Sequence, residues 1–149
     1  FSKDIRESYR DICSSIICGL ASIGIDAYFR PINDVVVGGR KVSGSAQMRR
    51  QGVLAQHGTI LYGLDRQTMF SVLKPSKLKL SDKTATSFGD GVACVRELCG
   101  ASLEELYNAL LKAFTEGKEW EFGILSDKEC ARIKDITWKY NSYEWNFSR

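Results

Sequence analysis

Histidine, proline and methionine are scarce in this sequence, and their scarcity excludes a good deal. A single histidine, His57, leaves no Cys/His set for a structural zinc. Five cysteines, Cys13, Cys18, Cys94, Cys99 and Cys130, make no C-x-x-C pair and sit inside apolar patterns, so they read as reduced, buried thiols of a cytoplasmic protein. The apolar runs all fall short of the roughly eighteen residues that a membrane helix needs, and no signal-peptide pattern is present. Paired catalytic carboxylates, a G-x-S-x-G elbow and a G-x-x-x-x-G-K-[ST] phosphate loop are all missing. A net charge of +3 is too small to argue for nucleic acid, and no nucleic-acid-binding motif accompanies it.

What remains is globular. The 149 residues are 44% hydrophobic and 26% charged, enough for one domain with a sizeable core. The chain opens on Phe1 and runs almost at once into a helix, which reads as a piece of something longer or a processed product. Ser2 can cap a helix over about Lys3–Ile23, whose stripe is Ile5, Tyr9, Ile12, Ile16, Leu20 and Ile23, with Gly24 as its stop. Asp26 to Arg30 reads as a short strand, and Asp34–Val37 with Arg40–Ser45 as a hairpin about Gly38-Gly39. Met48–Gly52 reads as loop. Val53–Tyr62 is apolar on both faces and is expected to be a central strand.

Asp65 caps a short helix to about Leu73. Lys74 to Lys83 carries four lysines and reads as a solvated loop or a docking patch for an acidic partner, and Thr84 to Gly91 as irregular. A short helix is expected between Gly91 and Cys99. Ser102 with Glu105, and Ser126 with Glu129, are capping boxes that open helices to about Glu116 and Lys139. Between them Trp120, Phe122 and Ile124 alternate with Glu119, Glu121 and Gly123 like a strand. The aromatic tail Tyr140–Phe147 is too apolar to be left in water. The order predicts an α+β fold, a mostly antiparallel sheet flanked by helices.

The stretch Asn33–Thr59 stands apart. Small residues, Gly38, Gly39, Ser43, Gly44, Ser45 and Ala46, surround one lysine, Lys41. Small residues let a backbone approach a ligand, and a lysine among them suits an anion as a point charge. By simple alternation, the hydroxyls of Ser43 and Ser45 are expected to accompany that charge. Asp34 is a carboxylate placed to hold Mg²⁺ or to orient the lysine. His57 lies on an apolar strand face and is not read as a general base. Chemistry here would be positioning and charge stabilisation.

These residues resemble the lipoate–protein ligase family, whose fold is shared by biotin protein ligases and octanoyl transferases. The resemblance rests on Asn33, Asp34, Arg40, Lys41, Ser43, Gly44, Ser45, Ala46, His57, Gly58, Thr59 and Leu61, and on the tail YNSYEWNF. It implies a two-step ligase: lipoate and ATP give lipoyl-adenylate, and the lipoyl group moves to a lysine of an acceptor lipoyl domain. Lys41 would be the catalytic lysine, contacting the acyl carbonyl and the α-phosphate. Asn33, Asp34, Ser43, Gly44, Ser45, Ala46, His57, Gly58 and Thr59 would line lipoyl-adenylate or ATP, with Mg²⁺ at Asp34. A Gly-rich arginine loop that the family carries earlier is not found before Asn33. Residues 1–149 therefore read as the second part of the catalytic domain, with a complementary chain or fragment as partner and, in some relatives, a small accessory domain. Two alternatives stand. One is an octanoyl or lipoyl acyltransferase, which needs a cysteine nucleophile that neither GIDAYFRPIND nor Lys74-Pro75-Ser76 supplies. The other is a non-catalytic module that binds lipoyl domains.

Overall fold

The computed structural model describes residues 4–72 and 91–148. The cap at Ser2, the lysine-rich run and most of the Ser/Thr/Gly stretch after it lie outside the described residues. The elements are α1 (Ile5–Ser22), β1 (Tyr28–Arg30), β2 (Asp34–Val37), β3 (Arg40–Arg50), β4 (Val53–Ile60), α2 (Arg66–Val72), α3 (Val95–Cys99), α4 (Leu103–Thr115), α5 (Asp127–Asn141) and α6 (Tyr143–Phe147). They fall into two compact units, residues 1–117 and 118–149. No helix among the described residues is long and apolar enough to cross a membrane.

In the first unit one antiparallel sheet runs β1-β2-β3-β4, with helices packed on it, which is the expected α+β class. Asp4, in place of Ser2, caps α1: its carboxylate accepts from the Glu7 amide at 2.9 Å. The apolar stripe of α1 gives Cys13, Ile16 and Leu20 to a core completed by Ile25, Ala27, Val35, Val42, Val95 and Leu106. At Gly19 α1 packs tightly against α4. A Cβ there would stand 3.0 Å from the Leu110 side chain and 3.2 Å from its Cα.

Two of the three hairpin turns need left-handed backbone. Gly38 and Gly39 (φ 54° and 79°) turn β2 into β3, and Gln51 and Gly52 (φ 51° and 77°) turn β3 into β4. The second turn corrects the expected loop at Met48–Gly52: β3 continues through Met48 to Arg50, because Met48 pairs with Ala55 and Arg50 with Val53. The expectation of a central strand over Val53–Tyr62 is also corrected. Among the described residues β4 is an edge: Val53 is 66% exposed, while Leu54 and Ile60 are half-buried and Ile60 packs against the core.

Val92 forms an isolated parallel bridge with Lys41, and the residues after it are tied by backbone hydrogen bonds. The Ala93 amide donates to the Lys41 carbonyl at 2.9 Å, the Val95 amide to Leu61 at 2.8 Å and the Arg96 amide to Tyr62 at 2.9 Å. A short helix does follow, over Val95–Cys99. Arg66 and Glu97 pin this segment with two hydrogen bonds of 2.5 Å.

The second unit holds α5 and α6, and none of its described residues is buried. Both predicted capping boxes form, at Ser102 with Glu105 in the first unit and at Ser126 with Glu129 here. The strand expected over residues 118–124 does not form. Alternation alone leaves a strand's amides and carbonyls unpaired, and among the described residues no strand pairs with this segment. The aromatic tail instead makes local contacts: Tyr140 meets Trp145 edge-on at 5.1 Å, and the Lys139 ammonium lies 4.3 Å above the Trp145 ring.

Two outcomes follow from this packing. Gly19→Val should wedge α1 off Leu110 and cost about 1–3 kcal/mol in chemical denaturation, as overpacking of a tight contact does. The Arg66 hydrogen bonds hold the Glu97 carboxyl below the usual carboxylate range. A depressed carboxylate stabilises the fold above its unfolded value and loses that contribution as pH falls. The stability difference between this chain and Glu97→Gln should therefore be present at neutral pH and shrink as melts are taken below the ordinary value of about 4.3 and the lowered carboxyl is protonated.

Candidate functional site

The site is set by an irregularity in the β2–β3 ladder. Asp34 pairs with Gly44 and Val35 with Ser43, but Val36 pairs with Lys41, so Val42 is an extra residue on β3. In a regular strand Lys41, Ser43 and Ser45 would share one face. An inserted residue shifts the alternation by one. Val42 turns into the core, where it is fully buried, and Lys41 swings to the face of Gly44. The absence of a side chain at Gly44 makes room for it: a Cβ there would lie 2.6 Å from both Cε and Nζ of Lys41.

Asp34 faces Gly44 and meets the lysine on the same side. Its Oδ1 lies 2.5 Å from Lys41 Nζ, and its Oδ2 lies 3.0 Å from Arg30 Nη2. Asp34 is largely covered, with 17% of its side chain exposed, while Lys41 keeps 39%. Across the next ladder Thr59 sits opposite Gly44, and His57 opposite Ala46. Lys41, Asp34, Gly44, Ala46, His57 and Thr59 therefore share one face. Ala46, Met48, His57 and Thr59 are exposed on it.

The other face belongs to α1. Ser45 opposes Gly58, and a Cβ on Gly58 would meet the Ser45 hydroxyl at 2.7 Å and the Gly44 carbonyl at 2.9 Å, so only glycine fits. Ser43 and Ser45 are buried on this side. The expectation that their hydroxyls accompany the lysine is thus corrected, and the bulge is the reason. What Ser45 turns toward Lys41 is backbone, and Asn33 fixes that backbone from both sides. The Asn33 side-chain Nδ2 donates to the Ser45 carbonyl at 2.5 Å, and the Ser45 backbone amide donates to the Asn33 carbonyl at 3.0 Å. Further along, Ser8 of α1 donates to Gln47, and Gln47 donates to Gln56 at 2.6 Å.

Cys13 lies fully buried in this second layer. Burial pushes its thiol above the ordinary value, and the Asp34 charge adds to this. A thiol so held stays protonated and is a poor nucleophile.

Mg²⁺ at Asp34 does not fit this arrangement. Each of its oxygens already faces a cationic side chain, and no group of three or more His, Cys, Asp or Glu residues gathers among the described residues. Sequence reasoning missed Arg30. The signal was available in the tight return Arg30-Pro31-Ile32-Asn33-Asp34, which sets Arg30 directly opposite Asp34 in the β1–β2 ladder.

The lipoyl protein ligase A/B catalytic domain matches residues 2–115. An octanoyltransferase of Kyrpidia tusciae is 33% identical over 97% of this chain and 62% of its own length, and one of Geobacillus kaustophilus is 31% identical over 99% and 63%. The chain thus spans less than two thirds of these relatives. A bi-partite lipoate protein ligase of Thermoplasma acidophilum, solved in a study of that ligase and its E2 lipoyl domain, superposes with a TM-score of 0.83 at 29% identity, covering 97% of this chain and 59% of that one. The octanoyltransferase relatives overturn the reading of an ATP-dependent ligase that forms lipoyl-adenylate. The physical reason is that a lysine held over a glycine serves the oxyanion of an acyl transfer as well as the carbonyl of an activation, so the motif does not separate the two. The fold, the Lys41 strand and the match over residues 2–115 place the chain in the lipoyl protein ligase A/B catalytic-domain family.

Proposed function

We propose that this chain is the lysine-bearing share of an acyltransferase domain that moves an octanoyl group from a thioester donor to a lysine of an acceptor lipoyl domain. The observation that carries the reading is Lys41 held over Gly44 by Asp34, in a chain whose relatives are octanoyltransferases. The acceptor class is supported by the lipoyl domain studied with the Thermoplasma ligase.

In the net reaction the acceptor amine forms a C–N bond to the acyl carbonyl carbon, the C–S bond breaks, and the donor leaves as a thiol carrying the amine's proton. The Lys41 ammonium donates to the carbonyl oxygen, whose negative charge grows in the tetrahedral transition state. A donor of this kind is worth about 10²–10³ in rate. Gly44 and Ala46 let the acyl group lie against bare backbone. Cys13 is not the acyl carrier in this reading, because it is buried on the opposite face with its thiol raised. The exposed face over Ala46, Met48, His57 and Thr59 is one wall, and the portion of the domain that relatives have beyond this match supplies the other.

The test is an ATP-free incubation with an octanoyl-thioester carrier protein and a lipoyl domain, read by the mass of the acceptor. The chain is assayed alone and with the unmatched portion of the Kyrpidia relative added as a second polypeptide. One octanoyl group should appear on the acceptor without ATP, and only with the added portion. Modification that requires free acid and ATP would contradict the proposal. Lys41→Ala should lower the rate about 10²–10³-fold. Gly44→Ala should displace only the flexible end of Lys41, keeping stability within about 1 kcal/mol while lowering the rate at least tenfold. Cys13→Ser should retain transfer, and its abolition of transfer would identify Cys13 as the acyl carrier.

A further inference from the structure

We propose that Arg30 is a positioning residue: it holds the second oxygen of Asp34 so that the carboxylate orients Lys41 without neutralising the site. The geometry is a chain of three charges. Lys41 Nζ meets Oδ1 of Asp34 at 2.5 Å, and Arg30 Nη2 meets Oδ2 at 3.0 Å. A lysine and an aspartate alone would cancel. With Arg30 the group carries one net positive charge, which is what a developing oxyanion needs.

Arg30 also fixes direction. Its Nη1 donates to the Gly39 carbonyl at 3.3 Å, in the turn between β2 and β3. One guanidinium thus spans from Asp34, at the start of the hairpin, to Gly39, two residues before Lys41. The planar, rigid fork of arginine suits that double contact, and a lysine would make one contact at a time. With Oδ2 occupied, the Asp34 carboxyl cannot turn both oxygens on the ammonium. An ammonium has three donors, and Lys41 meets Asp34 through Oδ1 of its carboxylate, which leaves the lysine able to face a ligand as well. With Arg30 gone, Asp34 is free to rotate and take more of the ammonium's donors.

The role in catalysis rests on the acyl-transfer reading above, but the positioning itself can be measured without it. The full chain and its variants Arg30→Gln, Arg30→Lys, Asp34→Asn and the Arg30→Gln/Asp34→Asn double are treated with a limiting soluble N-hydroxysuccinimide ester. Labelling of Lys41 is read by peptide mass mapping against Lys112 and Lys139, and circular dichroism melts confirm that each variant is folded. Arg30→Gln should slow Lys41 labelling about five- to tenfold, as expected for coupled charges in contact. Asp34→Asn should speed it, and the double variant should match Asp34→Asn, because Arg30 acts through Asp34. Arg30→Lys should restore labelling in part. Equal labelling in Arg30→Gln and the parent would overturn the proposal, as would an Arg30 effect that persists undiminished without Asp34, since that would mark a purely structural tie to Gly39. In the transfer assay Arg30→Gln should lower kcat with little change in KM for the thioester. A labelling shift with no change in transfer would uphold the positioning and count against the transfer reading. Loss of transfer with no labelling shift would overturn the proposal about Arg30.

Discussion

One extra residue in β3 decides where the charge of this protein goes. Were Val42 paired in a regular ladder, Lys41 would point with Ser43 and Ser45 toward α1, into the layer that holds Cys13 and Leu20. An unpaired ammonium there would face a desolvation cost that no hydrophobic gain offsets. The bulge resolves this by spending one valine on the core and turning the lysine to the open face. Local features then agree with that choice. Gly44 leaves room under the lysine, Asp34 meets its ammonium, Asn33 clamps Ser45, and Gly58 lets β4 close against the Ser45 hydroxyl.

The sheet has a dry side and a reactive side, and the two are built from alternate residues of the same strands. Ser43, Ser45 and Gly58 serve the packing against α1. Lys41, Gly44, Ala46, His57 and Thr59 face outward. The small residues that look like one motif in the sequence thus divide between the two faces, some leaving open the face that carries Lys41 and the others facing the helix side. The division also explains why the motif reads equally well for a ligase and a transferase. What it builds is a cationic spot beside bare backbone, and either reaction needs one.

Much of this was legible before any coordinates. The caps at Ser102 and Ser126, the helix stripe of Ile16 and Leu20, and the Gly38-Gly39 turn are local signals, and local hydrogen bonds satisfy them. The lysine, its glycine and its aspartate were found for the same reason. Three things were not legible. The direction of the Ser43 and Ser45 hydroxyls depends on a ladder register that alternation alone gets wrong by one residue. The alternation at Trp120, Phe122 and Ile124 mimics a strand, yet strand formation needs a partner that sequence pattern does not supply. The two apolar faces of β4 read as a central strand, and among the described residues it stands at the edge.

The central claim is that the bulge presents Lys41 over Gly44, away from α1. Lysine-selective labelling with side-chain NOE spectroscopy on the folded chain reads this directly. The account predicts cross-peaks from the Lys41 Hε protons to the Gly44 Hα protons and none to the β-protons of Cys13 or Ser43. Contacts from Lys41 to Cys13 or Ser43 in place of Gly44 would put the lysine on the helix side of the sheet and contradict it.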